Sequence, residues 1–201
     1  MSFNVLVTGM GGQGCVTFGR VLATAASLAG WRVAGSEKRG GAQRGGAAEV
    51  MLRLLPPDGL PEAAYAAVIP PGQLDLLVGL EPLEAWRRVG LTSARTLAVV
   101  DATPVEPALS RGLGFTVPPL PEILAGVASG GARVTVLDLA TTARVNWGKE
   151  AIANLLALAW LAEGKHLPFD GGYVRSAVTA VLGDRPDHAA IWATGAALQA
   201  P

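Results

Sequence analysis

The stretch FNVLVTGMGGQGCVTFGRV, residues 3–21, decides the fold class. Its first residues are mostly apolar or β-branched and end at Gly9, which predicts a short buried strand. Beyond Gly14, apolar residues recur at helical spacing until Gly30, where a C-terminal glycine belongs. A buried strand, a glycine-rich turn and a helix, in that order, predict the first unit of an α/β sheet.

The rest of the chain alternates short apolar runs with helical patterns. Further strands are predicted at 31–35, 47–55, 74–80 and 132–139, with a strand followed by a turn at 94–104. Helices are predicted at 81–89, 146–164, 171–183 and 186–200. Residues 56–72 predict a proline-bounded loop, and residues 112–130 fit no element clearly.

This alternation predicts a doubly wound, mostly parallel, Rossmann-like α/β sheet with C-terminal helices. The length of 201 residues suits one domain. We therefore expect residues 1–201 to form a single domain whose C-terminal helical part spans about 140–201.

The composition excludes some partners and favours others. Sixteen basic residues balance sixteen acidic ones, so no whole-surface attraction to nucleic acid or to an anionic membrane is expected. Half of the residues are hydrophobic and 16% are charged, a surface poorly protected against association, which favours a member of a complex. The chain shows no basic leader and no uninterrupted apolar run of about 18 residues, so a cytoplasmic protein is expected.

The single cysteine excludes a disulfide within the chain and a four-cysteine cluster held by this chain alone. Cys15 stands where a helix dipole could lower a thiol pKa, but a small buried residue is the favoured interpretation. His166 and His188 lie far from other ligand types, so no metal site is predicted. No catalytic acid or base can be assigned from the sequence.

The first glycine segment, GMGGQG, places Gly9, Gly11 and Gly14 in G-x-G-x-x-G spacing between a strand and a helix. Such a loop permits a tight turn and lets an anion approach the helix N-terminus. Glu37 stands near the position where a dinucleotide site needs an acidic residue, and Gln13 offers a polar side chain. The alternative is a tight turn that binds no ligand.

The second glycine segment, SEKRGGAQRGG, spans residues 36–46 and is the most polar part of the chain. Its glycine pairs free the backbone to turn sharply. Arg39 and Arg44 carry guanidinium groups, which bind phosphate or carboxylate through paired hydrogen bonds. Glu37 could pair with either arginine. The alternative is a solvated surface loop with local ion pairs.

Taken together, these segments resemble a known family. GMGGQG, followed by EKRGGAQRGG and a strand ending in Arg53, is similar to the gamma-type module of the 2-oxoacid:acceptor oxidoreductases. This family includes the indolepyruvate ferredoxin oxidoreductase beta subunit and the pyruvate ferredoxin oxidoreductase gamma subunit. The late stretch NWGKEAIANLLALAWLAEGKHLPF is also similar, so the resemblance covers nearly the whole chain.

The resemblance implies a subunit of an enzyme that oxidatively decarboxylates a 2-oxoacid to acyl-coenzyme A and passes electrons to ferredoxin. Thiamine diphosphate and iron–sulfur clusters are expected in other subunits of that complex, and no cofactor is expected on this chain alone. The expected partners are the catalytic thiamine diphosphate and iron–sulfur subunit, ferredoxin through the complex, and a second copy in a possible homodimer. The expected substrate is indolepyruvate or a branched-chain or other aryl 2-oxoacid, and a diverged paralogue that keeps the fold but serves another complex is a further alternative.

The resemblance also implies the binding residues. Both segments should lie at the carboxyl ends of strands, with the arginines contacting coenzyme A phosphates or the substrate carboxylate. The expected binding residues are Gly9, Gly11, Gly12, Gln13, Gly14, Glu37, Arg39, Gly40, Gln43, Arg44, Gly45 and Gly46.

Two alternatives remain open at this point. An independent NAD- or flavin-dependent oxidoreductase would use the first glycine loop and Glu37. A nucleotide-binding module without catalysis would use the same loop. Bound flavin or nicotinamide in the purified chain would favour these alternatives, whereas a colourless chain that co-purifies with a thiamine-dependent partner favours the subunit.

Several polar residues elsewhere have simpler interpretations. Asp101 and Asp138 each follow an apolar strand and are expected to cap the next helix or turn. Lys149 and Asn154 lie in a very apolar stretch and are candidate contacts to a partner. The tryptophans are scattered, so we expect core or interface anchors. They are Trp31, Trp86, Trp147, Trp160 and Trp192.

Overall fold

A computed structural model describes residues 1–40, 46–58, 66–105 and 116–199 of the chain, with the backbone alone at Arg39. Its centre is a six-stranded sheet. The strands are β1 (Phe3–Met10), β2 (Arg32–Arg39), β3 (Ala47–Leu55), β4 (Leu76–Gly79), β5 (Leu97–Asp101) and β6 (Arg133–Leu137).

The strand order across the sheet is β2-β3-β1-β4-β5-β6. Strands β1, β4, β5 and β6 pair in parallel, whereas β3 pairs antiparallel with both β1 and β2. Five of the six strands therefore run in one direction and β3 alone runs in the other. The predicted mostly parallel α/β sheet is confirmed, with one antiparallel strand inserted beside β1.

Seven α-helices accompany the sheet in the described ranges. They are α1 (Cys15–Leu28), α2 (Pro82–Trp86), α3 (Leu120–Ala128), α4 (Leu139–Trp147), α5 (Ala153–Glu163), α6 (Gly172–Leu182) and α7 (His188–Ala197). Short 3-10 turns follow α2 at Val89–Leu91 and precede α5 at Glu150–Ile152. Within the described residues, no helix is long and apolar enough to span a bilayer.

Alternate residues of the strands enter two separate apolar cores, so both faces of the sheet are covered. Val5 and Val7 of β1 pack in a core with α1 and the C-terminal helices. Leu6, between them, packs with α2 and α3 in the other core. The tryptophans lie in or against these cores, as expected: Trp192 is buried, and Trp31, Trp86, Trp147 and Trp160 are partly buried.

The structure corrects three boundaries. Strand β2 continues to Arg39, so residues 36–39 of the second glycine segment belong to a strand rather than to a loop. The helix predicted at 146–164 is two helices, because Gly148 adopts a left-handed φ of 67° that ends α4. Helix α3 lies within the stretch 112–130 that the sequence left unassigned.

Candidate functional site at the glycine rim

The first glycine loop turns the chain from β1 into α1. Gly14 precedes the helix with φ 88°, and Gly12 has φ 102°, a region that other residues rarely adopt. A Cβ atom on Gly9 would lie 2.6 Å from Gln13 Oε1, and one on Gly14 would collide with Asn154 Nδ2. The glycines are therefore required by backbone conformation at two positions and by close packing at Gly9 and Gly14.

The second glycine segment meets the first at the same edge of the sheet. The Gly11 amide donates to the Gly46 carbonyl oxygen at 2.8 Å, and the Gly40 amide donates to the Ala47 carbonyl oxygen at 2.7 Å. In the strand register, Ala48 stands between Gly9 on one side and Arg39 on the other. We call residues 9–14, 37–40 and 46–48 the glycine rim.

The amide of Gln13 closes the turn from inside. Its Oε1 accepts a hydrogen bond from the Met10 amide at 2.6 Å, and its Nε2 donates to the Leu80 carbonyl oxygen at 3.0 Å. Both ends of the side chain are thus occupied by backbone groups. Gln13 connects the carboxyl ends of β1 and β4, a positioning role that its place in the sequence did not reveal.

Glu37 does not stand beside β1. It pairs with Val50 of β3, and Val50 in turn pairs with Val7 of β1, so two strand spacings, about 9 to 10 Å, separate the two backbones. In a dinucleotide-binding sheet the strand that carries the acidic residue lies next to the first strand. The inserted β3 therefore weakens the NAD or flavin alternative.

Part of the predicted site lies outside the described residues. Gln43, Arg44 and Gly45 fall there, and so does the side chain of Arg39. The exposed side chains of Glu37 and Lys38 alternate along β2, so they project to opposite faces of the sheet at this edge strand.

The start of α1 can receive an anion. Among the described residues no side chain caps this helix, and its first turn contains no acidic residue. Its first amide groups have no partner within the helix, and they carry a partial positive charge. The glycine rim therefore joins the N-terminus of α1 to a segment that carries Lys38 and Arg39.

Cys15, the first residue of α1, is a free, buried thiol. The residue is 2% exposed, and burial raises the pKa of the Cys15 thiol to about 12. Desolvation outweighs any lowering by the helix N-terminus. The expectation of a small buried residue is confirmed.

Two buried carboxyl groups follow β4 and β5 at the same edge of the sheet. Glu81 Oε2 accepts from the Glu84 amide at 2.8 Å, and burial raises the pKa of Glu81. Asp101 is fully buried, and burial raises the pKa of its carboxyl to about 6. Both carboxyl groups therefore lie at the edge of the sheet where the parallel strands end, the edge that also carries the glycine rim.

Asp101 caps a helix that begins 38 residues later in the sequence. Its carboxylate accepts from the amides of Leu139 at 3.1 Å and Ala140 at 3.1 to 3.3 Å, the first residues of α4. Asp138 occupies the cap position itself but makes no side-chain cap bond. The capping role predicted for Asp101 is correct, and the one predicted for Asp138 is wrong because Asp101 already occupies these donors.

Asn154 is the residue beside the rim that sequence reasoning placed elsewhere. It is 4% exposed, and its Nδ2 donates to the Ala151 carbonyl oxygen and, at 3.5 Å, to the Gln13 carbonyl oxygen. The sequence suggested a contact to a partner, but Asn154 holds the first glycine loop from behind. A polar residue inside an apolar helix was the available signal.

Comparison with known proteins gives one consistent result. The family model described as pyruvate ferredoxin/flavodoxin oxidoreductase matches residues 4–199. The indolepyruvate oxidoreductase subunit IorB of Archaeoglobus fulgidus is 30% identical over 178 residues, which cover 89% of this chain and 85% of that protein.

Solved structures share the fold. A keto/oxoacid ferredoxin oxidoreductase gamma subunit from Geobacter sulfurreducens matches with a TM-score of 0.65 and 22% identity, covering 98% of this chain and 95% of that one. A 2-oxoglutarate:ferredoxin oxidoreductase from Magnetococcus marinus, with 2-oxoglutarate, coenzyme A and succinyl-CoA bound, matches with a TM-score of 0.69 and 18% identity. The match covers 96% of this chain and 30% of that chain. The resemblance inferred from the glycine segments is confirmed.

Proposed function

This chain belongs to the pyruvate ferredoxin/flavodoxin oxidoreductase family, and we propose that it is the gamma-type subunit of a 2-oxoacid:ferredoxin oxidoreductase. The complex would decarboxylate indolepyruvate or a related 2-oxoacid oxidatively to its acyl-coenzyme A. Indolepyruvate is the first substrate to test, because the Archaeoglobus fulgidus relative is named for it. The predicted class, an oxidoreductase that acts as a subunit, agrees with this family.

Within that complex, this chain would supply a binding surface rather than the redox chemistry. Its single cysteine cannot hold a four-cysteine cluster. Thiamine diphosphate and the clusters would therefore lie on a partner subunit, with ferredoxin reached through the complex. A second copy of this chain in a homodimer is compatible with the same arrangement.

The observation that carries the proposal is the contact between Gly11 and Gly46. It brings two segments, distant in sequence, to one edge of the sheet. Open α/β sheets bind ligands at the carboxyl ends of their strands, where β1 and β2 end here. We infer that this rim faces the catalytic subunit and receives an anionic group.

Coenzyme A fits this rim by the chemistry of its donors. The uncapped start of α1 offers backbone amides to a phosphate, and Arg39 and Arg44 supply guanidinium groups from the second segment. The substrate carboxylate is the other anion that the same groups could bind. In either case these residues would hold and orient an anionic group, while the thiamine diphosphate supplies the carbanion chemistry.

Purification of the native complex through an affinity tag on this chain tests the proposal. We expect this chain to co-purify with a thiamine-dependent, iron–sulfur partner. Once separated from that partner, the chain should be colourless. The complex should reduce a viologen dye when coenzyme A and indolepyruvate are present. Pyruvate and 2-oxoisovalerate serve as comparison substrates. Stoichiometric flavin or nicotinamide on the isolated chain would contradict the proposal.

Arg44→Ala tests the role of the second segment, and Arg133→Ala is its control. Arg133 is exposed at the amino end of β6, on the opposite edge of the sheet. We expect Arg44→Ala to weaken assembly or raise the KM for coenzyme A at least about tenfold, since a charge-assisted hydrogen bond contributes roughly 1.5 to 3 kcal/mol. Arg133→Ala should leave both unchanged. Normal assembly and normal turnover of Arg44→Ala would remove Arg44 from the site.

A further inference from the structure

A cavity of about 180 Å³ lies beside the first turn of α1, and Asn154, which contacts the first glycine loop, is part of its lining. It is bounded by the first turn of α1, the 3-10 turn before α5 and the start of α7. Its polar wall is formed by Thr17, Lys149, Asn154, Arg185, Asp187 and His188. None of these residues belongs to the glycine rim.

Asn154 leaves an unused acceptor in the wall of this cavity. Its Nδ2 donates to two carbonyl oxygens, those of Ala151 and Gln13, which fixes the orientation of the amide. A reversed amide would place Oδ1 against both of those oxygens. Oδ1 is therefore the free end, and it is enclosed without a hydrogen-bond partner among the described residues.

His188 adds two more unused polar atoms to the same wall. Both ring nitrogens are enclosed and have no partner within the described part of the chain. A neutral imidazole has one donor and one acceptor nitrogen. Enclosed polar atoms without partners raise the free energy of the protein. A bound molecule with complementary groups would recover this free energy.

The charges of the cavity wall favour a negatively charged molecule. Arg185 is paired with Asp187 at 3.2 Å, so these two charges offset each other. Lys149 has no ion-pair partner within the described ranges, which leaves the cavity with one net positive charge. The remaining wall is apolar, with Ile152, Leu155 and Ile191.

We propose that this cavity binds a small organic carboxylate that carries a hydroxyl or ammonium donor. The carboxylate pairs with Lys149, the donor bonds to Asn154 Oδ1, and a branched apolar body packs on Leu155 and Ile191. Because Asn154 Oδ1 is enclosed, entry of the molecule requires the His188 ring to turn outward, where water can satisfy its two nitrogens. This inference does not depend on the function proposed above.

Titrations of the isotope-labelled full chain, followed by NMR, test this site. The side-chain amide of Asn154 and the ring of His188 are the readouts. The probes are 2-hydroxyisovalerate and valine, which share a carboxylate and a branched body but carry a hydroxyl or an ammonium donor. Saturable shifts of both signals with either probe support the site, and the difference between the two identifies the donor.

Two analogues separate the two interactions. Isovalerate lacks the donor and 2-hydroxyisovaleramide lacks the charge. Each should bind about tenfold more weakly than 2-hydroxyisovalerate, because each leaves one enclosed or charged group without its partner. Equal binding of isovalerate and 2-hydroxyisovalerate would overturn the role of Asn154.

Lys149→Gln and Lys165→Gln form the matched pair of variants. Both lysines are exposed, but Lys165 lies after α5, outside this cavity. Lys149→Gln should weaken 2-hydroxyisovalerate binding about tenfold, and Lys165→Gln should leave it unchanged. Equal affinities of the two variants, or no saturable shift with either donor-bearing probe, would overturn the proposal.

Discussion

At the scale of single residues, Gly14 and Gly12 show two separate reasons why a position requires glycine. Both have positive φ, at 88° and 102°. A Cβ on Gly14 would also collide with the Asn154 amide, whereas a Cβ on Gly12 would meet none of the described residues within 4 Å. The two positions differ in packing while sharing the backbone conformation.

Gly14→Ala is expected to destabilise the chain more than Gly12→Ala. The left-handed conformation costs roughly 1 to 2 kcal/mol for either alanine. Gly14→Ala must also displace Asn154, for a total of about 3 kcal/mol. Urea unfolding of both variants measures the difference. Equal loss of stability would show that the contact between Gly14 and Asn154 contributes nothing.

Asp101, at the carboxyl end of β5, makes the stability of the protein depend on pH. Because burial raises the pKa of its carboxyl from 3.8 to about 6, the folded protein binds the proton more tightly than the unfolded chain. The contribution of Asp101 to stability is therefore full below pH 3.8, falls as the pH rises to about 6, and is constant above it.

Asp101→Asn isolates this dependence. The stability of the wild type relative to the variant should fall by about 2 to 3 kcal/mol between pH 4 and pH 6.5, since one pKa unit corresponds to about 1.4 kcal/mol. Urea unfolding at several pH values gives this difference directly. A difference that stays constant, or that rises with pH, would show that the amides of Leu139, Ala140 and Thr103 keep the carboxyl ionised.

At the scale of elements, Gln13 connects β1 to β4 across the point where the helices change faces. Helix α1 follows β1 on one face and α2 follows β4 on the other. Such a switch leaves a crevice between the two strand ends. Gln13 spans this crevice through Met10 and Leu80.

Gln13→Ala should open this crevice. Loss of two partly buried hydrogen bonds is expected to cost about 1 to 2 kcal/mol, and hydrogen exchange of the Met10 amide should become faster. Gln73→Ala is the control, because that exposed side chain lies before the amino end of β4, on the edge of the sheet away from the rim. Unchanged exchange at Met10 would show that the amide of Gln13 is not its protecting partner.

Most strands and helices could be predicted from local patterns, because the spacing of apolar residues within a run distinguishes a strand from a helix. The strand β1, the helix α1 and the later parallel strands follow from such runs. The antiparallel β3 between β1 and β2 could not be predicted, since strand pairing depends on residues distant in sequence. For the same reason Glu37, at the right sequence distance from Gly9, lies on the wrong strand for a dinucleotide site.

The candidate site could likewise be predicted only in part. The glycines of the rim were predicted from their spacing, and their meeting at one edge followed from the order of strand and turn. The roles of Gln13 and Asn154 were not predicted, because both depend on backbone carbonyl groups far away in sequence. Leu80 and Gln13 are 67 positions apart, and Asn154 and Gln13 are 141 apart.

At the scale of the whole molecule, the rim and the family give the chain its place in a complex. The net charge is zero and half of the residues are hydrophobic, so the chain has little protection against association. The rim places the N-terminus of α1 and the charged residues of β2 at one edge of the sheet. We expect the catalytic subunit to cover that edge and to leave the opposite edge, with Asp75 and Arg95, accessible.

Hydrogen–deuterium exchange of the isolated chain and of the native complex, read by mass spectrometry, tests this claim most directly. Peptides that cover residues 9–14 and 37–48 should show the largest protection on assembly, and peptides that cover residues 73–75 and 93–96 should show none. Unchanged exchange at the rim, together with protection elsewhere on the chain, would contradict the account.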